Sequence, residues 1–454
     1  MDVLFLSDLL TQMNDYGFGK SKLPRNAQIQ INETCEGFID YIKADNSLES
    51  YDFFNGLNCL KEDLSDKYII FFDVRDGFAS FRNLINTYER IIDELRNKKC
   101  YILFFHQDCV PWQFNTTSSI DGKENYWISF KNLIKEYNIE LDRFGFIFHE
   151  IVLNEDKWKV KNNIGVDIFY HNRNAVYTYR PDSWANTSDV DRETLIKLFN
   201  NTKGYYRQFK YCSHNNNIKD NRVDLLMFLI KNNLLEEGIT TWFGGNEPKA
   251  QGVDKLDFTK YNHQSPPHYG TIMDYSRIYG KEVVDIAQDL IPNSYDYKID
   301  GLQDYLNVLP YFNSYFNIVT ESVWGPGYDN PKCDDGLYPQ KIHITEKVWK
   351  PIISFQPFIL ISSKNNLKKL REWGFKTFDG WIDESYDELE TYEERKKVIN
   401  KEILRLCNMS RKELDKWYWS MEDILVHNFD NFSKFINSEY NNLQKMFENG
   451  WNKI

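Results

Sequence analysis

The sequence predicts an α/β protein of two halves, each built on a parallel sheet, followed by a helical tail. Three observations predict it. Short apolar runs at 68–72, 100–105 and 144–148 alternate with amphipathic stretches in the first half. The same alternation restarts at 209–213, and from about residue 389 the pattern is almost continuously helical. Strands buried on both faces read as unbroken apolar runs, and their alternation with helices marks a parallel sheet.

The elements follow in order. Residues 1–66 read as helical and polar, with 38–42 as one apolar stripe. The strand at 68–72 runs into Asp73. Segment 81–95 places Leu84, Tyr88, Ile91, Ile92 and Leu95 on one helical face. The strand at 100–105 ends in His106-Gln107-Asp108, and a helix over 127–137 leads to the strand at 144–148, which ends in His149-Glu150. In the second half come a strand at 209–213, a polar loop, a helix over 222–235 and a loop-rich region over 240–300. A strand at 315–320 carries Glu321 at its end, and a long loop follows. Then come a helix from Glu346 to about Ser354, a strand at 357–361, and a helix over 366–373 closed by Gly374 in a C-cap position. The expected domains are 1–205, 206–388 and a tail, 389–454, that packs back on the body. Open α/β sheets bind ligands beyond the carboxyl ends of their strands, and two facing halves would enclose a cleft.

Composition narrows the function. Of 454 residues, 42% are hydrophobic and 16% aromatic, enough for real cores. The net charge of −12, from 55 basic and 67 acidic residues, argues against a protein that grips nucleic acid through its phosphates, and against cationic membrane anchoring. The seven cysteines, at 35, 59, 100, 109, 212, 333 and 407, form no C-x-x-C pair. Free thiols in a reducing cytosol are the simplest reading. The N-terminus lacks a basic region before its short apolar run, so no signal peptide is expected, and no stretch approaches a spanning helix. The expected setting is cytoplasmic.

The most informative segment is Lys341-Ile342-His343-Ile344-Thr345-Glu346-Lys347-Val348-Trp349-Lys350-Pro351. Thr345 is a good N-cap, which puts Glu346 and Lys347 in the first helical turn. Free amides and the helix dipole make that end attractive to phosphate. A lysine there opposes the dipole, yet makes sense if it neutralises a bound diphosphate. Glu346 could accept hydrogen bonds from ribose hydroxyls. The plainer reading is an ordinary capped helix with two solvated charges.

This stretch resembles the donor-binding motif of the α-1,3-fucosyltransferases, in which a strand ending in an acidic residue is followed by a loop and a Thr-Glu-Lys helix start. Here the order is Tyr315-Phe316-Asn317-Ile318-Val319-Thr320-Glu321, the loop, then Ile344-Thr345-Glu346-Lys347-Val348-Trp349. Upstream, Phe209-Lys210-Tyr211-Cys212-Ser213-His214-Asn215 and Arg222 are similar to the family's strand, Asn-containing loop and donor-binding Arg. The similarity covers roughly 205–375. It implies a GT-B type fold, two Rossmann-like domains facing across a cleft, with the donor held by the C-terminal half and no metal. It implies further that Arg222 and Lys347 contact the diphosphate, that Glu346 meets the ribose, and that Glu321 lines the sugar end. The loop after Glu321 is longer than the family's. The segment from Gly374 to Phe378, with Asp383-Glu384-Ser385-Tyr386-Asp387, looks more like virus-borne relatives, which would place the protein in a host cytoplasm.

The expected activity is an inverting transfer of a sugar from a GDP- or UDP-linked donor to a glycan or other hydroxyl acceptor, with no further cofactor. A DNA base as acceptor, or sugar-nucleotide binding without turnover, are the rivals; net charge disfavours the first. The transfer needs a base, and the strand ends offer three: Asp73, Asp108 and Glu150, with His106 and His149 as possible partners. Asp189-Val190-Asp191 matches an Asp-x-Asp metal pattern but follows no apolar strand, and reads as a loop or cap. The acidic cluster at 383–388 reads as a solvated helix approach, and Trp417-Tyr418-Trp419 as packing of the tail.

Overall fold

The computed structural model describes residues 2–7, 52–55, 67–74, 85, 89–106, 126–149, 151–152, 159, 165–172, 175, 192–215, 220–242, 309–322 and 341–454. They fall into two units. One lies within Met1–Arg173, Leu337–Lys341 and Ile436–Ile454, the other within Asn174–Gly336 and Ile342–Phe435.

The first unit holds a six-stranded sheet. Its strands are β1 (Asp2–Ser7), β2 (Asp52–Asn55), β3 (Tyr68–Val74), β4 (Cys100–His106), β5 (Phe144–Phe148) and β6 (Asp167–Tyr170), in the order β2-β1-β3-β4-β5-β6. Every pairing is parallel. Helices α1 (Glu89–Arg96) and α2 (Tyr126–Glu136) cover one face. There Ile91, Leu95, Phe130 and Leu133 pack on Ile70, Ile102, Phe104 and Phe146. The other face takes residues from Ile436–Ile454. Phe447 lies 5.9 Å from Phe71, and Gly450 sits so close to Tyr101 that a Cβ there would meet the ring at 2.6 Å. Gly145 crowds the hydroxyl end of the same tyrosine, which donates to Asp167 at 3.1 Å. Asn449 and Lys453 donate to Asp167 as well.

Two expectations for this unit need correction. Residues 2–7 and 52–55 are strands, not helix. In Asp-Val-Leu-Phe-Leu-Ser the apolar run is only four residues long, and an inner parallel strand shows no alternation to betray it. Asp167–Tyr170 adds a strand that the sequence reading passes over.

In the second unit, strands β7 (Phe209–Asn215), β8 (Gly238–Trp242), β9 (Ser314–Thr320) and β10 (Phe358–Ile361) form a parallel sheet in the order β10-β9-β7-β8. Strand β8 falls inside the region read as loop; its Ile-Thr-Thr-Trp core is β-prone but short. The helices are α3 (Arg192–Asn201), α4 (Asp220–Lys231), α5 (Leu309–Phe312), α6 (Glu346–Ile353), α7 (Asn366–Glu372), α8 (Tyr392–Cys407), α9 (Arg411–Trp419) and α10 (Glu422–Asn452), the last as far as Phe435. Gly374 follows α7 with φ of 84°, the left-handed C-cap that the sequence suggests.

Helix α6 is anchored by Trp349, fully buried between Phe375, Phe432 and Phe435 at ring distances of 5.2–5.6 Å. The 417–419 aromatics pack as expected: the buried Tyr418 hydroxyl donates to Phe355 O at 2.6 Å, and the Trp419 ring lies 5.3 Å from Phe199. The acidic cluster is different. Glu384 and Asp387 are buried, not solvated. Asn365, preceding α7, offers no side-chain cap, so Asp387 accepts from Leu367 N and Lys368 N at 3.0 and 2.9 Å and satisfies that helix end. Glu384 accepts from Phe378 N and from Arg371.

Burial pushes the Glu384 carboxyl up to about 7, against the pull of Thr377, Phe378 N and Arg371. A raised folded value favours the protonated form. Its contribution to stability is therefore complete below about pH 4.5 and lost as pH rises to 7. At 1.36 kcal/mol per unit this amounts to about 3 kcal/mol. Glu384→Gln should gain about that much on wild type between pH 4 and pH 8, read from paired urea denaturation curves. A stability difference that stays flat with pH would refute the assignment.

Candidate functional site at the sheet switch point

In the second unit the chain runs from β7 to β8 on one side, then returns to place β9 on the other. Such a reversal leaves a crevice beyond the carboxyl ends of the two diverging strands. The helix that follows each of them, α4 after β7 and α6 after β9, starts at this point.

A run of hydrogen bonds closes the crevice floor. Thr320 Oγ1 donates to Asn215 Oδ1 at 2.7 Å, Asn215 Nδ2 to Ser213 Oγ at 3.1 Å, and Ser213 Oγ to Ile318 O at 3.0 Å. Next comes Glu321, wholly buried. Its backbone N–H donates to Ile361 O at the end of β10, and its carbonyl accepts from Asn221 Nδ2 in the first turn of α4 at 2.9 Å. Its carboxylate accepts from Thr345 N at 2.7 Å and lies 2.9 and 2.8 Å from Thr345 Oγ1.

Thr345 caps α6 as expected, accepting from Lys347 N at 3.4 Å. Its hydroxyl has one proton and two lone pairs. With the proton spent on Glu321, the lone pairs face Lys347 N and Lys347 Nζ, the latter at 3.0 Å. Lys347 Nζ also donates to Glu346 Oε1 at 2.8 Å and stands 3.8 Å from Glu321 Oε2. His343 Nε2 lies 3.8 Å from the same oxygen. Arg222, third residue of α4, is buried.

The structure thus places Arg222, Glu321, Thr345, Glu346 and Lys347 at the carboxyl end of one sheet, beyond its two inner strands. It gives Glu321 an occupation beyond the one the resemblance implies, because both carboxylate oxygens are engaged with the helix start. Two further residues join the site. Lys350, buried, lies one turn on from Glu346. Burial alone would raise the Glu346 carboxyl, but Lys347 and Lys350 overcome it and hold the group down at about 2. His214, at the end of β7, is held at about 3 by burial and by Lys350, so its ring is neutral at physiological pH. Among the described residues neither ring nitrogen has a hydrogen-bond partner. The Glu346–Lys350 spacing of four is a helical-face signal that was legible in the sequence. His214 has no such signal.

The candidate bases belong to the first unit. Its sheet also reverses, at β1 and β3, and Asp73 lies there in register with Ser7 on one side and Phe105 on the other. Asp108, Glu150 and Asp189–Asp191 lie outside the described residues. His106 ends β4, and His149 is buried. Among the described residues no group of three His, Cys, Asp or Glu side chains could hold a metal ion, and no helix is long and apolar enough to cross a membrane.

No protein-family model matches the chain, and no curated protein matches it. Among solved structures it is similar to the catalytic domain of starch synthase IV from Arabidopsis thaliana bound to ADP and acarbose. That likeness has 10% identity and a TM-score of 0.39 over 82% of this chain and 73% of that one. The N-terminal domain of Candida albicans trehalose-6-phosphate phosphatase is similar at 12% identity and a TM-score of 0.31, over 90% and 76%. Likenesses this slight carry no weight for activity.

If Glu321 organises the site, removing its carboxylate leaves two buried donors on Thr345 without partners. Glu321→Ala should cost about 3 kcal/mol, and Glu321→Gln about half, since one oxygen still accepts. Urea denaturation measures both. An unchanged midpoint in the alanine variant would remove Glu321 from that role.

Proposed function

We propose that the protein is a glycosyltransferase that moves a sugar from a nucleotide-sugar donor, GDP- or UDP-linked, to a hydroxyl of a glycan or similar acceptor. One observation carries the reading. Two helices start at the switch point of the second sheet, and each bears a cation in its first turn, Arg222 on α4 and Lys347 on α6. A crevice beyond parallel strands, ringed by helix N-termini and cations, suits a diphosphate. The resemblance of this segment to the donor motif of the α-1,3-fucosyltransferases supports the same assignment.

In this reading Arg222 and Lys347 balance the diphosphate, and Glu346 accepts from the ribose hydroxyls. Glu321 acts through Thr345, as a positioning residue. The reaction inverts the sugar centre and needs no metal, because the departing diphosphate meets cations of the chain itself. The acceptor proton goes to a carboxylate of the first unit. Asp73, Asp108 and Glu150 are the candidates, and Asp73 lies at the switch point of its own sheet.

A thermal-shift screen with GDP-, UDP-, CMP- and dTDP-sugars should single out one nucleotide. A ligand at a hundredfold excess over its Kd stabilises by about 3 kcal/mol. Charge grows on the diphosphate as the glycosidic bond breaks, so Lys347→Ala and Arg222→Ala should lower kcat by about 100-fold. Glu346→Ala should instead raise KM with kcat nearly kept, because ribose gains no charge. Transfer should survive EDTA. If all three variants bound nucleotide and turned over like wild type, the donor site would lie elsewhere; if manganese restored an activity that EDTA abolished, the metal-free reading would fail.

A further inference from the structure

The Lys347 ammonium is already engaged. It donates to Glu346 Oε1 at 2.8 Å and Thr345 Oγ1 at 3.0 Å, with Glu321 Oε2 at 3.8 Å. Both members of the Glu346–Lys347 pair are only partly exposed, at 12% and 24%. An anion that engages the lysine fully therefore competes with Glu346 for it. What happens next depends on what else the anion carries.

Resting on the donor-site reading above, we propose that the Glu346–Lys347 ion pair is a selectivity element that admits nucleoside diphosphates and rejects bare inorganic diphosphate. Inorganic diphosphate replaces Glu346 as the partner of Lys347 but gives the glutamate nothing in return. A carboxylate then faces a polyanion across a few ångströms. Lys350 stays beside Glu346 and favours its ionised form, while the help it had from Lys347 goes to the anion. A nucleoside diphosphate engages both partners at once, the diphosphate on Lys347 and ribose hydroxyls donating to Glu346. The cost of opening the pair is then offset at both ends. Selectivity of this kind comes from a repulsive contact with the wrong ligand as much as from attraction to the right one.

The neighbouring residues keep the pair in place. Glu321 fixes the Thr345 hydroxyl proton, which leaves a lone pair for Lys347 Nζ. Trp349 and the buried Lys350 fix the helix that carries both members of the pair.

The test is calorimetric titration of the full chain with inorganic diphosphate, GDP and UDP. The variants are Glu346→Gln, Lys347→Gln and the double substitution. Glu346→Gln should bind inorganic diphosphate about tenfold more tightly than wild type, the scale of a half-buried ion pair, while losing affinity for its nucleoside diphosphate. In the Lys347→Gln background the same substitution should give no gain, because the lysine is what Glu346 withholds. Glu346→Asp, with its carboxylate drawn back, should fall between. Unchanged or weaker diphosphate binding by Glu346→Gln would overturn the proposal. So would an equal gain without Lys347, which would reflect charge alone. A wild type that binds neither GDP nor UDP would overturn the donor-site reading instead.

Discussion

The buried carboxylate of Glu321 holds the second unit's functional end together. Through its backbone it joins β9 to β10 and to Asn221 of α4; through its side chain it fixes the start of α6. A charge this deep is tolerated because every oxygen has donors, including a backbone N–H at a helix N-terminus, where negative charge is favoured. The geometry of Lys347 follows from it. The Thr345 hydroxyl can orient the lysine only because its own proton is spent on Glu321. The site is therefore a chain of dependence from strand end to cap to cation, and each link uses up the remaining hydrogen-bonding capacity of the one before.

Much of this was legible beforehand. Thr345 as N-cap, Glu346 and Lys347 in the first turn, Glu321 at a strand end and Arg222 in the opening turn of a helix are local facts, fixed by residue type and spacing. The resemblance implies one site for them, and the sheet order sets β7 and β9, with α4 and α6 following them, side by side. What stayed hidden were relations across the chain. That Glu321 spends its carboxylate on Thr345, 24 residues away, depends on β9 and α6 meeting at the switch point. That Asp387 turns inward depends on α7 lacking a side-chain cap of its own, and that Glu384 does depends on Phe378 N and Arg371. The strands at 2–7, 167–170 and 238–242 were missed for a different reason. Strands this short offer too few residues for a period to show, and their pairing partners lie far off in sequence.

His214 joins the candidate site from a strand terminus, with no motif to announce it. Its ring is neutral because it is buried and near Lys350, and it lies 5.2 Å from the Tyr311 ring at a tilt of 47°. A neutral imidazole can donate through one nitrogen and accept through the other without adding charge to a site that already holds Arg222, Lys347 and Lys350. Arg222, Lys347 and Lys350 lie with the carboxylates of Glu321 and Glu346 at that end of the sheet, a mixture that the −12 of the whole chain does not describe. Net charge describes the molecule as a whole, and a site responds to the groups nearest to it.

Tyr101 of the first unit lies between Gly145 and Gly450, and its partner Asp167 is bound by Asn449 and Lys453. One face of a sheet whose strands all precede residue 171 is thus finished by residues 436–454. During synthesis that sheet leaves the ribosome long before its cover does. At roughly 5–20 residues per second, the wait is on the order of ten seconds or more. For that interval Phe71 and Tyr101 lack the Phe447 and Gly450 that pack on them in the finished unit. The sheet that forms first is therefore the last to be completed, and the nascent chain is most exposed to aggregation while the second unit is being made.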